Sequence, residues 1–384
     1  MPSRSAIALA LAVVSTAARA QDVQQLQLTR PIARSANGYT DIVGVRELPD
    51  GRIVAVDLRE RRIVLLDLAR GTARDAAREG QGPREFTGAF TVVPWLGDSL
   101  LVYGRRDFLK ISPSGEPVVR FAVNEAMTRT RGGLGAPRFA DKDGNIYFER
   151  SQPLEQAPNG NFIPTIDGSL WRWNVRTNAV DSVGAFRHRD PKQVLTTYYR
   201  PYPARDGTAV LSDGRVAIVH ATDYRVEILR DGRRVVEGPR VAYTPLPVGP
   251  DERNAFRDDA IRRPRGSISL SGGNAKPQSG AEREAARREI NIPDDAFPPR
   301  MSPIVEDRST FVDPANRIWV ARTSAASSTD RQVDVFNDRA ELVARVTLRN
   351  RGRVVGFGKA SVYIVTPDED DVEWIERYAM PAIR

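Results

Sequence analysis

From about residue 40 the chain alternates short apolar runs with turns rich in Asp, Gly and Asn, and one pattern recurs. A turn ending in Gly or Asn is followed by a short apolar strand, a polar loop and a second alternating strand. It appears as LPDGRIVAVDLRERRIVLLD at 48–67, LGDSLLVYGRRDFLKIS at 96–112 and LSDGRVAIVHATDYRVEIL at 211–229. It appears again as DKDGNIYFER at 141–150, whose partner strand SLWRWN follows at 169–174. The remaining copies are DPANRIWVARTSAASSTDRQVDVFN at 313–337 and GKASVYIVTPDEDDVEWIE at 358–376. Apolar and polar residues alternate along these strands as in half-buried antiparallel sheet. Most copies lie about 45 residues apart, the period of a four-stranded propeller blade. Sheet units of this size bury their faces by stacking around an axis. The pattern therefore predicts an all-β fold: a six-bladed β-propeller with four-stranded antiparallel blades.

The last copy supplies only three strands, RVVGFG (353–358), SVYIVT (361–366) and VEWIERYAM (372–380). The segment VQQLQLTRPIA at 23–33 has strand character and is the expected fourth. The two ends of the chain would then share one blade, removing an open sheet edge.

Two gaps exceed the period. The first holds RDPKQVLTTYYRPYPAR (189–205). The second, about 245–303, carries two charged helical stretches, GPDERNAFRDDAIRRP (249–264) and AEREAARREI (281–290), the latter with a Glu284/Arg288 pair one helical turn apart. Between them GSISLSGGNAKPQSG (266–280) is rich in Gly and Ser. A partly helical insertion of this length is either a lid over the propeller face or a surface excursion.

Residues 1–20 change the picture of where the protein works. Arg4, an apolar run at 6–14 and Ala18-Arg19-Ala20 make a secretory signal peptide, with Gln21 as the mature N-terminus and 21–384 as the propeller. The apolar run is short of the roughly 20 residues needed to span a bilayer. No other stretch is long and apolar enough, so no transmembrane segment is expected after signal removal. The expected compartment is the periplasm or the exterior. The net charge is +8, nearly all of the cations are arginine, and cysteine is absent. Disulfides, thiolate metal sites and a Cys nucleophile are thereby excluded. Export makes nucleic acid an unsuitable partner for that charge and favours an anionic small molecule, a glycan or an envelope protein.

REGQGPREF at 78–86 looks like part of a phosphate loop but fails as one. Glu85 stands where a dinucleotide fingerprint needs its third glycine, Pro83 removes an amide donor, and no helix follows. It reads instead as a blade-to-blade turn, with Phe86 plugging between neighbouring sheets. Together with the DG turns at Gly51 and Gly214 and the strand DYRVEIL (223–229), GQGPREF resembles the six-bladed propellers of the NHL-like group found in exported bacterial proteins. The resemblance spans the mature chain as repeats, and only the first blade boundary keeps the full G-x-G-P-x-x-F pattern.

Candidate chemistry lies in the loops. DKDGN (141–145) has carboxylates at alternate positions like a calcium loop, but other blades carry LPDG, LSDG and DPAN in the same register, so it reads as a turn. DEDD (368–371) offers Asp368, Asp370 and Asp371 as weak candidates for a divalent cation such as calcium; no other cofactor is expected. His188 and His220, the two histidines, sit in different blades and do not make a three-ligand zinc site. No G-x-S-x-G elbow supports a serine hydrolase. The positive signal is arginine beside tyrosine on one face: Arg61, Arg105, Arg106 and Arg322 in loops within blades, and Tyr198, Tyr199 and Arg200 in the first insertion. The guanidinium fork suits planar anions. The expectation is a binding or interaction module for an anionic ligand or envelope partner. The alternative is a metal-dependent hydrolase or lactonase with a divalent ion in the central channel.

Overall fold

The structure is a computed structural model that describes residues 23–128, 134–151, 155–156, 162–163, 167–187, 201–262, 292–305 and 309–384. The signal segment and the second helical stretch at 281–290 lie outside the described residues. Six antiparallel sheets follow one another along the chain. The first blade is Ile42–Glu47, Ile53–Asp57, Arg62–Asp67 and Thr72–Ala77. The second is Thr91–Trp95, Ser99–Tyr103, Asp107–Ile111 and Pro117–Ala122. The third begins at Leu134–Ala140 and the fourth at Gly207–Val210. The fifth contains Thr310–Val312, Ile318–Ala321, Arg331–Phe336 and Leu342–Leu348. The sixth contains Arg353–Phe357, Ser361–Pro367 and Glu373–Ala379. In each blade the first of these strands is innermost, so the turns after it share one face of the ring. Loops between second and third strands share the other face with the blade-to-blade crossings.

The turns explain why the repeat folds as it does. Gly51 and Gly214 adopt φ of 86° and 80°, which lets each DG turn close without a Cβ clash. Where the turn aspartate precedes an aromatic residue, its carboxylate also ties the turn to the sheet. Asp313 takes the amides of Ala315 and Arg317 on one oxygen and the Trp319 indole N–H at 2.9 Å on the other. Packing then occurs between blades rather than within them. One apolar cluster joins blades one and two through Val54, Leu65, Phe86, Val92 and Leu109. Another joins blades six and one through Ile42, Val45, Tyr363 and Ile375.

Closure is divided between two blades. The outer position of blade six is taken by Ala33–Arg34, antiparallel to Glu373–Ala379. Gln24–Leu28 instead runs parallel to Leu342–Leu348, as a fifth strand on blade five. The ring is further fastened by the Ile42 amide, which donates to Glu373 Oε2 at 2.7 Å.

Helices are few among the described residues. A short turn covers Glu125–Thr128, and the second insertion supplies Pro250–Arg262. Proline at its first position and Asp251 and Glu252 in its first turn suit a helix start, and Glu252 Oε2 accepts from the Gly249 amide at 3.0 Å. Phe256 and Ala260 pack with Ile292 and Phe297, while the Tyr202 hydroxyl donates to the Glu252 carbonyl at 2.5 Å. The described flanks of the insertion are thus docked on the crossing into blade four. No helix among the described residues is long and apolar enough to cross a membrane.

Candidate functional site

The seam between blades one and two builds a groove. The 78–86 loop folds back on itself: Gly80 N–H donates to the Phe86 carbonyl at 2.9 Å, and Phe86 N–H to the Arg78 carbonyl at 3.2 Å. Glu85 accepts from Gly82 N–H at 2.8 Å, and Phe86 is buried in the inter-blade core. Arg120, on the outer strand of blade two, donates to the carbonyls of Gly80 at 3.3 Å and Gln81 at 2.9 Å. The loop is therefore a clasped seam and not a phosphate cradle. Beside it Thr87, Arg105, Arg106, Asp107, Arg120 and Phe121 line an open cleft of about 630 Å³. Asp107 is occupied by the Thr87 hydroxyl at 2.9 Å and by Arg120 Nε at 3.5 Å. Phe121 stacks on Phe108 with ring centroids 5.5 Å apart. Arg105 and Arg106 are exposed, and among the described residues no carboxylate pairs with either guanidinium. The cleft thus carries excess positive charge beside an aromatic edge.

The other arginines of the sequence reading are placed apart from that pair. Arg61 adopts φ of 52° and reaches Glu79 at 3.6 Å, on the far side of the same seam. Arg322 lies in blade five, tucked over the Tyr243 ring at 5.2 Å and 3.9 Å from buried Asp334. Tyr224 from blade four donates to Asp334 Oδ2 at 2.6 Å, and Arg345 approaches Oδ1 at 3.3 Å. Burial pushes the Asp334 carboxyl up against the pull of those partners. Arg322 therefore belongs to an inter-blade ionic cluster. Tyr198, Tyr199, Arg200 and His188 lie outside the described residues.

The acidic candidates are committed to turns. Asp368 Oδ1 accepts from the amides of Asp370 and Val372, at 3.0 and 2.9 Å, and Oδ2 takes the Trp374 indole N–H at 2.9 Å. These hydrogen bonds, led by the indole, hold its carboxyl below the usual range. Asp371 sits at φ of 60° and faces Arg351 at 3.5 Å; Asp370 is exposed at the turn's tip. Asp141 does the same in DKDGN, taking the amides of Asp143 and Asn145 and the Tyr147 hydroxyl at 2.7 Å. Among the described residues no group of three or more His, Asp or Glu is arranged to hold a metal ion. His220 is gripped from both sides, Nε2 2.9 Å from Glu227 and Nδ1 3.4 Å from Asp206. Asp206 first, then Glu227, raise its pKa against the opposing effect of burial.

One charged residue escaped the sequence reading. Arg46 lies on the innermost strand of blade one, and among the described residues it has no carboxylate partner. The available signal was an arginine closing the apolar stretch IVGV at 42–45.

No protein-family model matches this chain. No curated protein does either. Solved structures do share its general course. A gluconolactonase from Xanthomonas campestris is 13% identical over 90% of this chain and 87% of its own, with a TM-score of 0.47. Regucalcin from Agrobacterium tumefaciens, a calcium-binding protein, is 11% identical over 94% and 99%, at 0.44. The PQQ-bound aldose sugar dehydrogenase of Streptomyces coelicolor is 11% identical over 91% and 97%, at 0.41. At these values the likeness carries no chemistry to this chain, and the six blades rest on the sheets themselves.

Proposed function

We propose that this chain is an exported binding protein of the NHL-like propeller type that takes an anionic ligand, a glycan or the anionic surface of an envelope partner, in the groove beside Arg105 and Arg106. The observation that carries this reading is the pair of exposed guanidinium groups with no described counter-charge, next to a third arginine fixed by main-chain carbonyls. Arg120 adds fixed positive charge with its donors engaged, and the exposed forks of Arg105 and Arg106 are left to take the oxyanion. Phe121 adds an apolar edge, which suits a ligand with both charged and ring surfaces.

Retention on a heparin column tests it. The double variant Arg105→Ala/Arg106→Ala is expected to elute at lower salt than the wild type. The variant Arg70→Ala/Arg339→Ala loses the same charge from exposed arginines in turns of the opposite face, and is expected to elute with the wild type. Equal elution of the two double variants would reduce the interaction to net charge and remove the groove. Elemental analysis of the purified protein addresses the hydrolase reading: one tightly held divalent ion per chain would overturn the binding-module assignment.

A further inference from the structure

Arg46, on the innermost strand of blade one, carries a positive charge that the rim groove does not explain. Along the first blade, Leu48 N–H donates to the Arg52 carbonyl at 2.8 Å, and the register pairs Arg46 with Val54 and Val45 with Ala55. Ladder bonds in an antiparallel pair fall on alternate residues. They therefore fall on Leu48 and Arg46, and the Val45 carbonyl turns away from the second strand. Val45 packs toward blade six, so the Arg46 side chain leaves its strand on the other face. Yet Arg46 Nη1 donates back to the Val45 carbonyl at 3.3 Å, and lies 3.4 Å from where a Cβ on Gly356 of blade six would stand. The side chain must curl around the inner edge of its own strand. That edge borders the axis.

Burial and accessibility agree with this placement. The Nε is fully buried with no hydrogen-bond partner, and burial alone pushes the guanidinium down to about 10, leaving it charged at neutral pH. The residue nevertheless retains partial solvent contact. With the side chain curled around the inner edge of the innermost strand, that contact lies on the axial side. Its neighbour Glu47 does not neutralise it, because Glu47 is engaged by the Tyr363 hydroxyl, the Lys359 amide and Arg377. Arg353, on the innermost strand of blade six, is already bound to Glu373 at 2.7 Å. A guanidinium whose Nε is buried without a hydrogen-bond partner is costly and favours a counter-ion. The innermost strands also present an unpaired row of peptide groups to the axis, as any edge strand does.

We infer that the axial channel is a second binding site, in which Arg46 and neighbouring main-chain N–H groups hold a small oxyanion, a carboxylate or a phosphate. The site is separate from the rim groove, so either assignment can fail alone.

Urea midpoints measured in sodium phosphate, sodium acetate and sodium chloride at equal ionic strength test it. Phosphate also stabilises proteins by general exclusion, so the readout is the difference between variants. The wild type is expected to gain in phosphate, acetate or both relative to chloride. At an anion concentration ten times Kd, its folded-to-unfolded ratio rises about elevenfold. Arg46→Met is expected to lose that gain and, in chloride, to be at least as stable as the wild type. Arg105→Ala/Arg106→Ala is expected to keep the full gain. A gain in phosphate alone assigns a tetrahedral anion, and one in acetate alone a carboxylate. Arg46→Lys keeps the charge but not the fork, and its half-maximal anion concentration should rise about tenfold, the loss of one charge-assisted hydrogen bond. Equal anion gains in wild type and Arg46→Met, or a wild-type half-maximum in Arg46→Lys, would overturn the site.

Discussion

Gly356 is the tightest point of ring closure, and replacing it by alanine measures how firmly blade six meets blade one. The residue lies on the inner strand of blade six, outside the left-handed region, so alanine meets no backbone penalty there. The obstacle is contact. A Cβ would stand nearer to the Val45 carbonyl oxygen than the 3.0 Å that real Cβ atoms keep. That oxygen belongs to a paired strand and also accepts from Arg46. Neither strand gives without parting the blades. Forcing a methyl into a packed contact costs about 1–3 kcal/mol, while Gly→Ala recovers about 0.4–1 kcal/mol by restricting the unfolded chain. The net expectation is destabilisation by about 1–2 kcal/mol, read as a lower urea midpoint with an unchanged slope. Gly44→Ala is the matched comparison on the inner strand of blade one. Its new methyl would be tight only against the Val92 Cγ1, at 3.2 Å, with the Val92 backbone at ordinary contact distance, so a change within about 0.5 kcal/mol is expected. If both alanine variants unfold at the same urea concentration, the inner strands of blades six and one do not meet as described.

One further outcome follows from the seam and another from the ionic clamp of blade four. Phe86→Ala empties the plug between blades one and two and should lower stability by about 3–5 kcal/mol, measured by urea unfolding; a loss below about 1 kcal/mol would mean the seam does not depend on the ring. For His220 the folded-state pKa is raised above the unfolded value, chiefly by Asp206 and then Glu227. Its contribution is thus fully present below about 6.5, the unfolded value, and is lost as pH rises through the folded pKa. Subtracting the pH–stability curve of His220→Gln from that of the wild type should show this fall above about pH 6.5; a flat difference would remove the clamp.

Much of the architecture was readable because it is local. Each DG turn declares itself through a glycine in a left-handed conformation, and each strand through alternation, so blade number and the role of REGQGPREF followed from short windows. The charged stretch at 249–264 read as helix equally locally, and Pro250–Arg262 is one. What escaped depends on closure. Gln24–Leu28 has the alternation of a strand, but nothing in five residues says whether its partner is blade five or blade six, nor whether it runs parallel. Arg46 reads as one charge in an apolar run; its lack of a partner appears only when Tyr363, Arg377 and Lys359, more than 300 positions away, have claimed Glu47. Arg322 is the opposite case, since its partner Asp334 is an inner residue of a strand and gives no local sign of itself.

The divided closure has a consequence for the order of events during synthesis. Gln24–Leu28 and Ala33–Arg34 emerge first, yet their partners, Leu342–Leu348 and Glu373–Ala379, emerge last. The ring cannot shut before residues 342–379 have been made, and loop closure over such separations is slow. Until those later strands arrive and pair, the outer edge of blade five and the flank of blade one remain unpartnered, so the interval before ring closure is when this protein is most open to proteolysis and to mispairing with other strands.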